Sequence, residues 1–177
     1  MRPSTAAHIL TAAVLLLGGA GATPETTCSA AAGADRRVDY HFCVSRLSQH
    51  HDSPDADTWG LAKVAADVGV LLAGNGVYDI KHMLAKKASA GGKARAPLER
   101  CEALYGRMGS AFAEAYDGID RRDYAAGKDK AREAAPLMRL CGEAFARAGV
   151  VPSPLARQSA DAVQMAIVCT AITGLIK

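Results

Sequence analysis

Apolar residues recur along this chain at steps of three and four, the period of one helix face, and no strand-like alternation of useful length interrupts them. Thr26 to His51 reads as two short helices, with Cys28 in the first and Tyr40, Cys43, Val44 and Leu47 along one face of the second. Ser53-Pro54-Asp55-Ala56-Asp57 is a turn that ends in a helix start, since aspartate favours the N-cap and the first turn. Four longer segments follow. The first, about Asp57 to Ala88, carries Leu61, Val64, Val68, Leu71, Asn75 and Tyr78 on one face, and Gly74-Asn75-Gly76 is expected to bend or weaken it. Ser89 to Lys93 is a loop. The second segment, about Ala96 to Ile119, has Pro97 in its first turn and a stripe of Cys101, Leu104, Met108, Ala111, Ala115 and Gly118.

The third segment, about Asp123 to Ala148, aligns Gly127, Ala131, Ala134, Met138, Cys141, Phe145 and Ala148, with a kink expected at Pro136. Gly149-Val150-Val151-Pro152 stops it. Ser153-Pro154 opens the fourth, whose face reads Ala162, Ala166, Cys169, Thr173 and Ile176. Stripes at this spacing are those of bundle seams, so the fold class is all-α.

The cysteines sharpen this picture. Cys101 and Cys141 are forty residues apart with Asp120-Arg121-Arg122 at their midpoint. Two antiparallel helices of about twenty residues, roughly 30 Å each, would bring those sulfurs level. Cys28 and Cys43 stand similarly about the turn Gly33-Ala34-Asp35. Closing the larger loop would stabilise by roughly 3–4 kcal/mol. The chain has five cysteines, so one is left unpaired or bonds elsewhere. Cys169, in mid-seam, reads as a small buried hydrophobe rather than a reactive thiol.

Residues 1–22 read as a secretory signal, with a basic start at Arg2, an apolar run from Ile9 to Leu17 and small residues Ala20-Gly21-Ala22 at the cleavage point. That run is too short to span a bilayer. Residues 23–177 then form one domain, a hairpin over 23–53 and a bundle over 54–177, with no membrane association after cleavage. Removal of Arg2 lowers the formal net charge from +3 to +2, and aromatics are only 5% of the chain. A dense basic stripe with stacking rings is missing, which argues against a nucleic-acid partner.

Catalytic and metal-binding patterns are also missing. The sequence has no Cys-x-x-Cys, His-Glu-x-x-His or Glu-x-x-His. Asp79 and His82, three apart, read as a solvated surface pair. His50-His51 reads as a helix end, where imidazolium meets the dipole favourably, rather than as a metal site. Gly74-Asn75-Gly76 follows no strand and has no P-loop lysine. An enzyme is not expected, and no cofactor. A rigid stapled bundle with polar surfaces suits binding another protein.

Several segments resemble the family of plant invertase inhibitors and pectin methylesterase inhibitors. Val38-Asp39-Tyr40-His41-Phe42-Cys43-Val44-Ser45-Arg46-Leu47 is similar to the family's stretch around its second cysteine. Ala56-Asp57-Thr58-Trp59-Gly60-Leu61-Ala62 resembles the opening of its first bundle helix, and Leu98-Glu99-Arg100-Cys101-Glu102-Ala103-Leu104-Tyr105 its third cysteine with a trailing tyrosine. Cys141-Gly142-Glu143-Ala144-Phe145 resembles the fourth, and Ser153-Pro154-Leu155 the lead-in to the last helix. The resemblance spans nearly all of the chain after the signal. It implies an N-terminal α-hairpin packed on an up-down-up-down four-helix bundle, bridges Cys28–Cys43 and Cys101–Cys141, and a free thiol at Cys169.

The resemblance further implies a secreted, apoplastic inhibitor that occludes the substrate cleft of a plant cell-wall hydrolase in a one-to-one complex. The target would be pectin methylesterase, kept from methyl-esterified homogalacturonan, or acid invertase, whose sucrose pocket the midpoint turn would enter. Invertase inhibitors often carry Pro-Lys-Phe at that turn, where this chain has Arg122-Asp123-Tyr124. The departure favours pectin methylesterase. The expected contact surface is the turn Asp120, Arg121, Arg122, Asp123 and Tyr124 together with Lys128, Asp129, Arg132 and Glu133 on the following helix. The alternatives are an ordinary solvated charged face and, for the whole chain, a structural or signalling module with no hydrolase target.

Overall fold

The computed structural model describes residues 21–87 and 92–177. They form seven helices, and no strand occurs among the described residues. The signal expected over residues 1–22 lies, but for Gly21 and Ala22, outside them. Helices α1 (Pro24–Ala34) and α2 (Tyr40–Leu47) make a hairpin. The bundle consists of α3 (Thr58–Lys87), α4 (Arg95–Asp120), α5 (Tyr124–Arg132) continued by α6 (Ala134–Arg147), and α7 (Ala156–Leu175). α3 packs on α4 and α7, and α5 and α6 pack on the other sides of the same two helices. Consecutive rods are therefore neighbours, the up-down-up-down arrangement.

Local chemistry explains where the helices start. Thr23 and Thr26 cap α1 reciprocally, each side chain taking the other's backbone N–H, with Pro24 in the first turn. Asp39 accepts from the Phe42 amide at 2.9 Å to start α2, and Asp57 accepts from the Gly60 amide at 2.7 Å to start α3. Disulfides join Cys28 to Cys43 and Cys101 to Cys141. The first closes the hairpin; the second ties the beginning of α4 to α6. Cys169 is unbonded and wholly buried, and burial pushes its thiol up to about 12, so it stays protonated and inert.

The hairpin lies on α7 and α3. Arg46 of α2 binds Asp161 of α7, and Gln164 Nε2 donates to the Arg37 carbonyl at 3.0 Å. In the hairpin turn, the Arg37 guanidinium hydrogen-bonds Asp35 and holds its carboxyl down at about 2.

The α3–α4 seam is the centre of the core. Phe112 and Tyr105, seven residues apart on α4, are fully buried. They lie on Gly69 and Gly76, seven apart on α3, where an added Cβ would sit 2.3 Å from the Phe112 ring and 2.2 Å from the Tyr105 ring. The Tyr105 hydroxyl reaches Ser159 Oγ on α7 at 3.0 Å, which satisfies its one polar atom.

This seam corrects the expected stripe of α3. Leu61, Val64 and Val68 are buried, but Leu71 is 54% and Tyr78 71% exposed, and Asn75 is exposed too. Past Val68 the buried face runs through Gly69, Ala73, Gly76 and Ile80. Gly74-Asn75-Gly76 does not interrupt the helix, which is continuous from Thr58 to Lys87. Tyr40 also departs from its stripe: it opens α2, 37% exposed, with its ring edge against His41. The third segment is two helices. Pro136 cannot donate to the Arg132 carbonyl and its ring crowds that group, so α5 ends at Arg132 and α6 restarts with the proline in its first turn. The stripes of α4 through Gly118 and of α5–α6 through Phe145 are buried throughout. By length and hydropathy Thr58–Lys86 could cross a membrane, yet half of its apolar window is buried in the bundle.

Candidate functional site

The α4–α5 turn forms the tip of the bundle. α4 ends with Asp123 N–H donating to the Gly118 carbonyl at 2.8 Å and Arg122 N–H to the Ile119 carbonyl at 3.0 Å. These are the paired bonds of a Schellman stop, which needs a left-handed residue between them. Arg122 occupies that position with φ 62°. Asp123 then caps α5, accepting from the Ala126 amide at 3.1 Å. The two helices come so close that a Cβ at Gly118 would lie 2.8 Å from the Gly127 amide nitrogen. Neither of these facing glycines has room for a side chain.

Trp59, at the start of α3, braces the tip. Its indole N–H donates to the Ile119 carbonyl at 2.9 Å. Lys63 Nζ lies 3.9 Å from the Trp59 ring centroid and 5.4 Å from that of Tyr116. The Arg122 guanidinium stands 5.1 Å from the same Trp59 ring and donates to the Tyr124 hydroxyl at 3.4 Å. Lys63 also donates to Asp120 at 2.9 Å, and this bond raises its pKa above the usual lysine range. Two cations on one indole, tied to the carbonyl that closes the turn, stiffen the tip before any partner arrives. Beside it opens a cleft of about 600 Å³ whose lining includes Trp59, Lys63, Tyr116 and His50 together with the carboxylates of Asp52, Asp55, Asp57 and Asp67.

The anticipated contact residues divide into three groups. Arg121 and Arg122 are exposed at the tip, with half-buried Tyr124 beside them. Asp120 and Asp123 are exposed but committed, one to Lys63 and the other to the α5 cap. On α5 and its C-cap, Asp129 pairs with Arg132 at 2.7 Å, the cap residue Glu133 meets Lys130 at 3.2 Å, and Lys128 is half-buried. Such exposed pairs are worth a few tenths of a kcal/mol. The fold thus joins the turn to the α5 face as one surface, while leaving most of its charges paired, among themselves or with Glu114 on α4.

Trp59, Lys63 and Tyr116 were not anticipated as part of a site. The signal available was a lone tryptophan with a lysine four residues on, in the first turns of a helix. What places them on the turn is the pairing of α3 with α4, which spacing does not disclose. Asp79 and His82 form no ion pair; Asp79 accepts from Gln158 on α7 at 3.5 Å and His82 stacks on Tyr78.

Comparison with known proteins bears on this architecture. Residues 22–172 match the family described as plant invertase/pectin methylesterase inhibitor. Pectinesterase inhibitor 8 of Oryza sativa subsp. japonica is 71% identical over 90% of this chain and 86% of its own. Pectinesterase inhibitor 12 of the same plant is 45% identical over 89% of this chain and 76% of its own. The crystal structure of a mutant form of a pectin methylesterase inhibitor from Arabidopsis superposes with a TM-score of 0.68. It covers 88% of this chain and 99% of that one at 15% identity, a likeness of fold alone. Hairpin, stapled bundle and a sequence match along nearly the whole described length agree: the chain belongs to the plant invertase/pectin methylesterase inhibitor family.

Proposed function

We propose that this protein is a secreted inhibitor of plant pectin methylesterase, acting outside the cell by covering the enzyme's substrate cleft in a one-to-one complex. The observation that carries the reading is the 71% identity to a rice pectinesterase inhibitor over nine-tenths of the chain. The tip supplies a physical means. Arg121, Arg122 and Tyr124 project from a turn held by Trp59, so little conformational entropy is lost on docking. The exposed face of α5 extends that surface. The protein's part is to bind and exclude substrate, with no chemistry of its own.

The test is inhibition of a pectin methylesterase and, in parallel, of a cell-wall acid invertase, across about pH 4.5 to 7, a span that brackets the ordinary histidine pKa near 6.5. Inhibition of the esterase alone is expected. Inhibition of invertase alone would move the target to the family's other substrate class. Inhibition of neither would make the chain a non-inhibitory module. Changing Lys128→Glu with Arg132→Glu should weaken inhibition at an unchanged melting temperature; full potency in that variant would remove α5 from the contact surface.

A further inference from the structure

The turn after α2 gathers a second group of side chains on the cleft. His50 is only 8% exposed, with Nε2 2.9 Å from Asp67 Oδ2 on α3. Its other ring nitrogen, Nδ1, is approached by the Asp52 amide at 3.3 Å. A nitrogen facing a carboxylate carries the proton, and a nitrogen facing an N–H carries the lone pair. Both contacts therefore select the same tautomer, with Nδ1 bare. Around that lone pair, Asp52 Oδ2 lies 3.9 Å from His50 Nδ1, and His51 Nε2 lies 3.2 Å from Asp52 Oδ1. One ligand atom from each of His50, His51 and Asp52 falls within 4.8 Å of the others.

We propose that His50, His51 and Asp52 bind one late first-row divalent cation, zinc or copper, with Asp67 as the positioning residue behind His50. Two imidazole nitrogens and one carboxylate oxygen suit such an ion better than calcium or magnesium, which prefer an all-oxygen shell. Bonds of about 2.0–2.2 Å require the three atoms to draw closer than they now stand. His51, 83% exposed and stacked 4.6 Å from His50, is free to make that rotation. The ion takes the Nδ1 lone pair that the Asp52 amide now approaches, so the backbone at residue 52 turns away as the ion binds. Asp67 then completes a carboxylate–histidine–metal relay, an arrangement that fixes the ring and raises its basicity. Asp55 and Asp57 line the same cleft and favour a cation there, whereas its one lysine, Lys63, is held by Asp120. Buried Cys169 offers no competing thiolate. In sequence His50-His51 is only a helix end; the carboxylate that selects its tautomer comes from seventeen residues away.

The purified secreted protein, stripped by a chelator, should be titrated with Zn²⁺ and separately with Cu²⁺, followed by calorimetry and by tryptophan fluorescence. Trp59 is the only tryptophan and lines the same cleft, so bound Cu²⁺ quenches it. One ion per chain is expected, with quenching lost in His51→Ala and in Asp52→Asn. Asp67→Asn should weaken binding about 10- to 100-fold at an unaltered helical circular-dichroism spectrum. His82→Ala, on the exposed face of α3, should bind as the parent does. No stoichiometric binding, undiminished binding by His51→Ala, or loss in His82→Ala would overturn the site; full affinity in Asp67→Asn would overturn the relay. These readouts are independent of hydrolase inhibition.

Discussion

At the end of α6, Val150 N–H donates to the Phe145 carbonyl and Gly149 N–H to the Ala146 carbonyl, both at 3.0 Å, with Gly149 at φ 69°. The end of α4 repeats the same two bonds with Arg122 at φ 62° where the other stop has glycine. Glycine enters the left-handed region without penalty, whereas a residue with a Cβ loses about 1–2 kcal/mol there. The α6 stop leads into a connecting loop; the α4 stop forms the tip. The backbone cost avoided at one stop is accepted at the other, where the Arg122 side chain stands over Trp59 and donates to Tyr124. The stops differ also in surroundings: nothing lies within 4 Å of a Cβ built on Gly149, while Gly118 at the α4 stop touches the α5 backbone.

Four substitutions break or sharpen this contrast. The largest effect is expected from Gly118→Ala, because its Cβ would meet a backbone nitrogen that has no room to retreat. A loss of about 2–3 kcal/mol, read by denaturant unfolding, should accompany weaker inhibition as α5 is pushed off α4. Gly149→Val should cost about 1–2 kcal/mol from the left-handed strain alone and leave inhibition intact at temperatures where the protein is folded. Should Gly149→Val damage inhibition as well, the two stops would not be separable. Trp59→Phe keeps a ring but removes the indole donor from the Ile119 carbonyl, leaving it the Arg122 N–H alone. About 1 kcal/mol should be lost, and inhibition should fall by roughly fivefold if that cost falls on the docking conformation.

The smallest stability change, and the most telling, is that of Arg122→Gly. Relief of about 1–2 kcal/mol of strain outweighs about 0.5–1 kcal/mol of lost cation–aromatic attraction. The variant should melt slightly higher and inhibit less. A variant that melts lower while inhibiting fully would show that Arg122 serves folding rather than contact.

The bundle was legible in the sequence wherever the seam is built from large apolar residues. Cys101, Leu104 and Met108 on α4, and Met138, Cys141 and Phe145 on α6, stand where three- and four-residue steps put them. The reading failed along the second half of α3, where the seam is Gly69, Ala73 and Gly76 and the filling volume comes from Phe112 and Tyr105 on the neighbouring helix. A stripe of small residues carries little hydrophobic signal, so the eye settles on Leu71 and Tyr78, which face water. The tip turn was legible from Asp120-Arg121-Arg122 breaking the pattern. Its brace was not, since a hydrogen bond from Trp59 to a carbonyl sixty residues away depends on pairing rather than periodicity.

Cys101 and Asp120 stand at opposite ends of α4, nineteen residues or roughly 28 Å apart along the axis. On the proposed reading, covalent closure and partner recognition are thereby assigned to opposite poles of one rod. Residues 121, 122 and 124 can be rewritten while the locked base keeps the rods in register, as a chuck holds interchangeable drill bits. On that reading a handful of codons at this pole would suffice to change the target, and a protein engineer would use the same pole to display foreign loops.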